Sequence, residues 1–119
     1  MTNVDLDLEV HVVDHPTGDT ELDNAWGVAH IGSGAVHAGD NKGGGVKVAV
    51  LDTGIDTDHP DLSYDPNCSK GFGYPTYEDG HGHGTHTAGT VAALDNNTGV
   101  IGVNQDVGNM VNQGNIVVV

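Results

Sequence analysis

The order of elements in these 119 residues predicts an α/β protein built on a parallel sheet flanked by helices. Three observations carry the prediction. The run VKVAVL at 46–51 is short, β-branched and almost wholly apolar, the pattern of a strand buried on both faces of a parallel sheet. From Thr85 to Leu94 the apolar positions Ala88, Val91 and Ala92 fall at helical spacing, and the turn DNNTG closes the helix. Between these two lies a long loop and after them come further strand pieces, so the chain reads strand, loop, helix, strand.

Residues 4–13, VDLDLEVHVV, alternate apolar and polar positions, the period of a half-buried strand. The turn-rich segment DHPTGDTELDN that follows is a linker. Trp26 to Ala38 is weakly helical: Val28, Ile31, Ala35 and Val36 share a face, with Gly32 and Gly34 working against it. DNKGGG is a flexible joint before the 46–51 strand. Residues 56–82 hold Asp, Pro, Gly and Tyr without a period and form loop, and GVIGV at 99–103 and NIVVV at 115–119 are the later strand pieces.

Composition narrows the function. Seventeen acidic residues face three lysines and no arginine, a net charge of −14. No basic stripe exists to neutralise phosphates and no polybasic patch to hold an anionic bilayer, which argues against nucleic-acid and membrane partners. Asp outnumbers Glu 14 to 3, a bias that keeps a surface hydrated when salt screens ordinary charge, so a salt-adapted protein is expected. Leu, Ile, Val and Phe total 28 residues beside 19 glycines, enough to fold but thin for a core. Cys68 is the sole cysteine, so no intrachain disulfide forms. No apolar run reaches the length of a membrane span, and MTNVDLDLEV lacks the basic and apolar regions of a signal peptide.

Two motifs carry chemistry. In VAVLDTGID, Asp52 sits at the carboxyl end of the 46–51 strand, where α/β sheets place their ligands; alone, such an Asp is often a turn cap. In GHGHGTHTAGT, His81, His83 and His86 cluster where a Gly-rich loop enters a helix; a histidine there usually does no chemistry. Three mechanisms use these residues. Asp52 can fix the Nδ1–H tautomer of His83, freeing Nε2 to take a proton from a serine. LDTG followed by an apolar residue and Asp also resembles the retroviral aspartic proteases, in which two chains each supply one aspartate and the pair shares a proton. Finally, His81, His83 and His86 in H-x-H-x-x-H resemble part of the zinc-ligand motif of metallo-β-lactamases, although Thr85 stands where that motif wants Asp.

Taken together, VAVLDTGIDTDHPDL followed by DGHGHGTHTAGTVAAL resembles the subtilisin-like serine protease family around its catalytic Asp and His. The resemblance runs from about Trp26, where WGVAHIGSGAVH is similar to the family's first helical region, to about Val103. It implies a partial, truncated version of the family's three-layer fold, with residues 20–119 an incomplete catalytic domain and residues 1–19 a remnant of the propeptide end plus linker. It implies that Asp52 and His83 are the catalytic Asp and His, that His86 packs inside the helix and that His81 has no counterpart. Gly54 then turns the chain after Asp52, and Gly84 and Gly89 permit close approach of helix and sheet. The composition is similar to that of halolysin-type members, so the parent enzyme is expected outside the cell, in salt. Its partners are a peptide or protein substrate and its own propeptide or a complementing downstream segment.

A structural Ca²⁺ comes with the same resemblance, held by the side chains of Asp61 and Asn96 and the carbonyls of Leu94, Thr98 and Val100. Hard oxygen ligands in such a turn suit this ion. A further ligand, usually Gln, falls at Leu22, with Glu21 or Asp23 as substitutes. Asn96-Asn97-Thr98 and Asn67-Cys68-Ser69 also match glycosylation sequons, and glycosylation of Asn96 excludes its ligation of Ca²⁺.

The departures from the family matter equally. Its nucleophile lies in a G-T-S-M-A-like segment, and the serines here are Ser33, Ser63 and Ser69, none in that context. After Val103 the chain reads NQDVGNMVNQGNIVVV, similar to the strand before the family's oxyanion Asn, which implies an internal deletion after about Val107. A chain with Asp52 and His83 but neither nucleophile nor oxyanion donor is expected to be inactive alone. The alternatives are an aspartic protease dimer using Asp52, or a non-catalytic relic that binds metal or peptide.

Overall fold

The computed structural model describes residues 19–104 and 116–118, whose elements run α1 (Thr20–Asn24), α2 (Trp26–His30), α3 (Ser33–Ala38), β1 (Val48–Val50), α4 (His83–Ala92) and β2 (Ile116–Val118). β1 and β2 pair in parallel, Val48 with Ile116 and Val50 with Val118. A parallel pair with an intervening helix is the α/β arrangement that the element order predicts. The half-buried strand expected at 4–13 and the deletion expected after Val107 lie outside the described residues.

The expected single helix over 26–38 is two helices. Gly32 adopts φ 82°, a left-handed conformation open to glycine, and breaks the run after Ile31. Of the apolar face expected there only Val28 is buried: Ile31, Ala35 and Val36 are exposed, and Ser33 and His37 are buried instead. His37 anchors α3 by bonding its Nε2 to the Val103 carbonyl at 2.8 Å. Asp19 caps α1, its carboxylate accepting from Leu22 N at 3.0 Å.

The 46–51 strand is also shorter and barer than its sequence suggests. Only Val48–Val50 are strand, Ala49 is exposed, and Val46 and Leu51 are exposed at its ends. Burial on both faces requires neighbours on both faces, and among the described residues only the α4 side is covered. There Val50, Ile55 and Ala88 form a small core, joined by Leu62, Tyr64, Tyr77 and Ala92. A second cluster of Leu22, Val28 and Ile101 ties α1 and α2 to the segment after α4.

GVIGV is not a strand. Gly102 N bonds the Ala93 carbonyl, and Val103 N and Asn104 N bond the carbonyls of Thr90 and Val91, so the segment folds back along the end of α4. Its backbone groups are thereby satisfied by the last carbonyls of the helix, which otherwise lack partners. The helix itself begins two residues earlier than its apolar spacing indicates, where Asp79 of the preceding loop accepts from Gly82 N and Thr85 N, and it ends two earlier, at Ala92.

Candidate active site

Asp52 follows β1 and enters a tight turn. Gly54 in that turn has φ 125°, and a side chain there would meet the Tyr77 carbonyl at 2.5 Å. Glycine is required on both counts. The turn is then pinned to the distant loop: Ile55 N donates to the Tyr77 carbonyl and Asp79 N to the Ile55 carbonyl. This short parallel bridge brings the start of α4 over the end of β1. Gly84 completes the approach, since a Cβ there would run into the backbone of Thr53 and Gly54. Gly89 is different: its only neighbour is Leu62 Cδ2 at 4.0 Å, ordinary contact distance, so the close approach expected of it is not needed.

The result places His83 Nδ1 at 2.7 Å from Asp52 Oδ1 and 2.9 Å from Oδ2. Nδ1–H is the donor, since an ionised carboxylate can only accept. Asp52 also accepts from Thr53 N at 2.7 Å, and the Thr87 hydroxyl, which donates to the His83 carbonyl at 3.0 Å, lies 3.4 Å from its Oδ2. The bond from His83, and after it that from Thr53, hold the Asp52 carboxyl below its usual range. The Asp52 side chain is 13% exposed and that of His83 63%, so the carboxylate is sheltered while the ring opens outward. Nε2 has no partner among the described residues and is free to exchange a proton. Beside Asp52 opens a cavity of about 920 Å³ edged by Leu51, Phe72, Tyr74 and Tyr77, a mostly apolar wall next to the pair.

The other histidines do not join this centre. His81 stacks edge-on to His83 with ring centroids 6.3 Å apart. His86 is exposed, bordering a separate cavity with Trp26 and His59; the packing role expected for it is not seen, because nothing described covers that face of α4. With His83 Nδ1 committed to Asp52, the three histidines form no metal-binding group, nor does any other set of His, Cys, Asp and Glu among the described residues. Asp52 likewise faces a histidine, whereas the paired-aspartate mechanism needs a second aspartate against it.

Sequence reasoning missed Asp79. Its Oδ1 accepts from the Thr53 hydroxyl (2.9 Å), His81 N (2.9 Å) and Gly82 N (2.8 Å), and its Oδ2 from Thr85 N (2.9 Å) and the Thr85 hydroxyl (2.6 Å). Partial burial alone would raise its pKa, but these donors outweigh burial and hold it far below the usual carboxylate range. The available signal was an Asp three residues before the N-cap Gly82, where a carboxylate meets the unpaired N–H groups of a helix start.

A second acidic site lies at the far end of α4. Asp61 is buried, accepting from Asn96 Nδ2 at 3.1 Å and Val100 N at 3.3 Å, while its own carbonyl accepts from Leu94 N. Glu21, also buried, accepts from the backbone N–H groups of Asn96, Asn97 and Thr98 at 3.0 to 3.2 Å. Burial pushes the Asp61 carboxyl above its usual range, and the charge of Glu21 adds to the rise. Leu22 points into the core instead, while Glu21, one of the two substitutes for the missing Gln, binds this loop through its carboxylate.

A sheltered carboxylate on the Nδ1 of an open histidine, at the end of a parallel strand, is an arrangement that can hold the ring in one tautomer with Nε2 open to a proton. Comparison with known proteins gives the family. Residues 43–114 match the model of the subtilase family, Peptidase S8. The chain is 54% identical over 78 residues to Subtilisin Savinase of Lederbergia lenta, covering 66% of this chain and 29% of that protein. It is 54% identical over 78 residues to an alkaline protease of Shouchella clausii, covering 66% of this chain and 20% of the relative. It is also 43% identical over 95 residues to Subtilisin E of Bacillus subtilis, covering 76% and 24%. The chain belongs to the subtilase family, and it spans less than a third of the length of these relatives. The aspartic-protease reading gives way to this membership.

Proposed function

We propose that this chain is the Asp- and His-bearing part of a subtilisin-like serine endopeptidase, with Asp52 as orienting acid and His83 as general base. The bond from His83 Nδ1 to Asp52 at 2.7 Å carries the reading. It fixes the tautomer in which Nε2 accepts the proton of a serine as that serine attacks the scissile carbonyl. The protonated ring, steadied by Asp52, then gives the proton to the leaving amine, and the cycle repeats with water on the acyl-enzyme. The apolar cavity beside Asp52 supplies a wall for peptide side chains. The nucleophile belongs to a segment outside these 119 residues: Ser69 donates to the Asp65 carbonyl, Ser33 is buried in α3, and no serine among the described residues bonds His83.

In this reading β1 is the centre of the family's three-layer sheet, and the exposed flanks of Val46, Ala49 and Leu51 are covered by the complementing segment. The parent enzyme works outside the cell in salt, as its charge of −14 suggests. Ca²⁺ fits the Asp61 loop on the chemistry of its donors. Two buried carboxylates lie there with no salt bridge to either among the described residues, and the carbonyls of Leu94, Thr98 and Val100 accept no hydrogen bond among them. Asp61, Asn96 and these carbonyls would hold the ion, which would supply the charge balance that the loop lacks.

Co-expression with a Ser-bearing downstream segment of a subtilase tests the proposal. Turnover of a fluorogenic peptide, blocked by a serine-directed inhibitor, is expected from the pair and not from the 119 residues alone. In subtilisins loss of the base costs about 10⁶ in kcat and loss of the orienting aspartate about 10⁴; His83→Ala and Asp52→Asn are expected to follow that order. Undiminished turnover in either variant would sink the assignment.

A further inference from the structure

We infer that Asp79 is a positioning residue for the Asp52–His83 pair, the shared acceptor of two reciprocal links that lock the turn after Asp52 onto the first turn of α4. The inference rests on the reading of Asp52 and His83 above and extends it to a residue that touches neither.

The argument lies in the direction of two hydroxyls. Thr53, adjacent to Asp52, gives its hydroxyl proton to Asp79 Oδ1 and with the same oxygen accepts from Gly84 N at 2.9 Å. Thr85, on α4, gives its hydroxyl proton to Asp79 Oδ2 and accepts from Asp56 N at 2.9 Å. One link therefore runs from turn to helix and the other from helix to turn. Each needs its hydroxyl proton directed away, and Asp79 takes both. Gly84 and Thr53 are the immediate chain neighbours of His83 and Asp52, so the two links flank the catalytic pair directly.

Only an ionised carboxylate suits this position. Five donors converge on two oxygens, and a carboxylate offers about four lone-pair sites with no proton of its own. An asparagine would keep one oxygen and turn an NH₂ group toward N–H and O–H donors, leaving at least one link without its acceptor. The negative charge also lies at the start of α4, where the helix dipole favours it. His83 is open to solvent and has few contacts of its own, so its register against Asp52 depends on where Gly82, Gly84 and Thr85 are held.

The test reads the tautomer of His83 in the 119-residue chain labelled with ¹⁵N-histidine, by long-range ¹H–¹⁵N correlation with the ring neutral. Wild type is expected to show His83 predominantly as Nδ1–H, and Asp52→Ala to lose that preference. Wild type without the preference would defeat the Asp52–His83 reading and this inference with it. With the preference present, Asp79→Asn is expected to reduce it to the mixture seen in Asp52→Ala; a folded Asp79→Asn chain that keeps the wild-type tautomer overturns the positioning role alone. Should Asp79→Asn fail to fold, Thr53→Val against Thr53→Ser decides. Loss of the preference in the valine variant and its rescue in the serine variant support the role, and equal populations overturn it. In the reconstituted protease Asp79→Asn is expected to lower kcat by about 10²-fold with little change in KM, the scale of a misplacement of about 1 Å.

Discussion

Asp79 and Asp61 mark opposite ends of α4 and solve the burial of a carboxylate in opposite ways. Asp79 is surrounded by five donors from three segments and sits well below its ordinary pKa. Asp61 has two, shares its loop with the buried Glu21, and sits above its ordinary pKa. The first end is complete in its own protein groups and can be rigid without help. The second carries uncompensated negative charge, so its stability waits on something positive. The Asp52–His83 pair lies at the self-sufficient end, and the role proposed for it requires a fixed geometry.

The largest effect that would break this contrast comes from Gly84→Ala. A Cβ there meets the backbone of Thr53 and Gly54, which cannot move aside as a flexible side chain would. A loss of about 3 kcal/mol, the upper end for overpacking, is expected by urea denaturation.

The calcium proposal sharpens the other end. Ca²⁺ at about 100 times its Kd is expected to add about 2.7 kcal/mol, measured as a rise in Tm that Asp61→Asn abolishes. Without Ca²⁺, the sign of the Asp61 contribution is opposite to that of Asp79. A raised carboxyl pKa weakens the fold at neutral pH, and the penalty is relieved as pH falls through the folded value toward the unfolded one near 3.9. Glu21→Gln is expected to loosen the 96–98 loop and to reduce the Ca²⁺ increment.

Asp79→Asn should cost about 2 kcal/mol at neutral pH, the scale of hydrogen bonds to a charged acceptor. The folded pKa of Asp79 is depressed, so its contribution is full above the unfolded value and is lost as pH falls below about 3.9 toward the folded one. The gap between wild type and variant should therefore narrow from pH 7 to pH 3 in matched denaturation curves. A gap that stays constant would show that Asp79 acts through packing and not through charge.

The smallest effect has the reverse sign. Gly89 lies inside α4 with Leu62 at 4.0 Å as its nearest neighbour, so Gly89→Ala should stabilise by about 0.5–1 kcal/mol through helix propensity and a less flexible unfolded chain. Gly84 and Gly89 look alike in the sequence and differ only in what stands opposite.

Much of the site was legible without coordinates because its chemistry is written in local patterns. Asp52 stands at the end of a β-branched run and His83 in a Gly-rich helix entry, which marked both as candidates, and the resemblance of the two segments together to the subtilisin-like family implied their roles. The glycine at 54 announced a turn, which the structure gives a φ of 125°. Other features depended on partners distant in the chain. The run 46–51 has the composition of a doubly buried strand, yet burial depends on neighbours, and here one side of Val48–Val50 is covered. GVIGV has strand composition, but the open carbonyls of α4 capture its backbone first. Val28, Ile31, Ala35 and Val36 mark an apolar face that Gly32 breaks, so Val28 packs and the other three stay exposed.

By itself, then, the sequence determined the α/β class and the acidic character and picked out Asp52, His83 and the Asp61 and Asn96 segments as candidates, because each is carried by residues close together or by a count over the whole chain. Only the tertiary structure decided that Asp79 binds the two halves of the site and that Glu21 and not Leu22 faces the Asp61 loop. It also decided that Gly84 is indispensable where Gly89 is not. Those are properties of what meets across 25 to 75 residues of intervening chain, roughly the separations of Thr53 from Asp79 and of Glu21 from Asn96, and no local pattern encodes the partner.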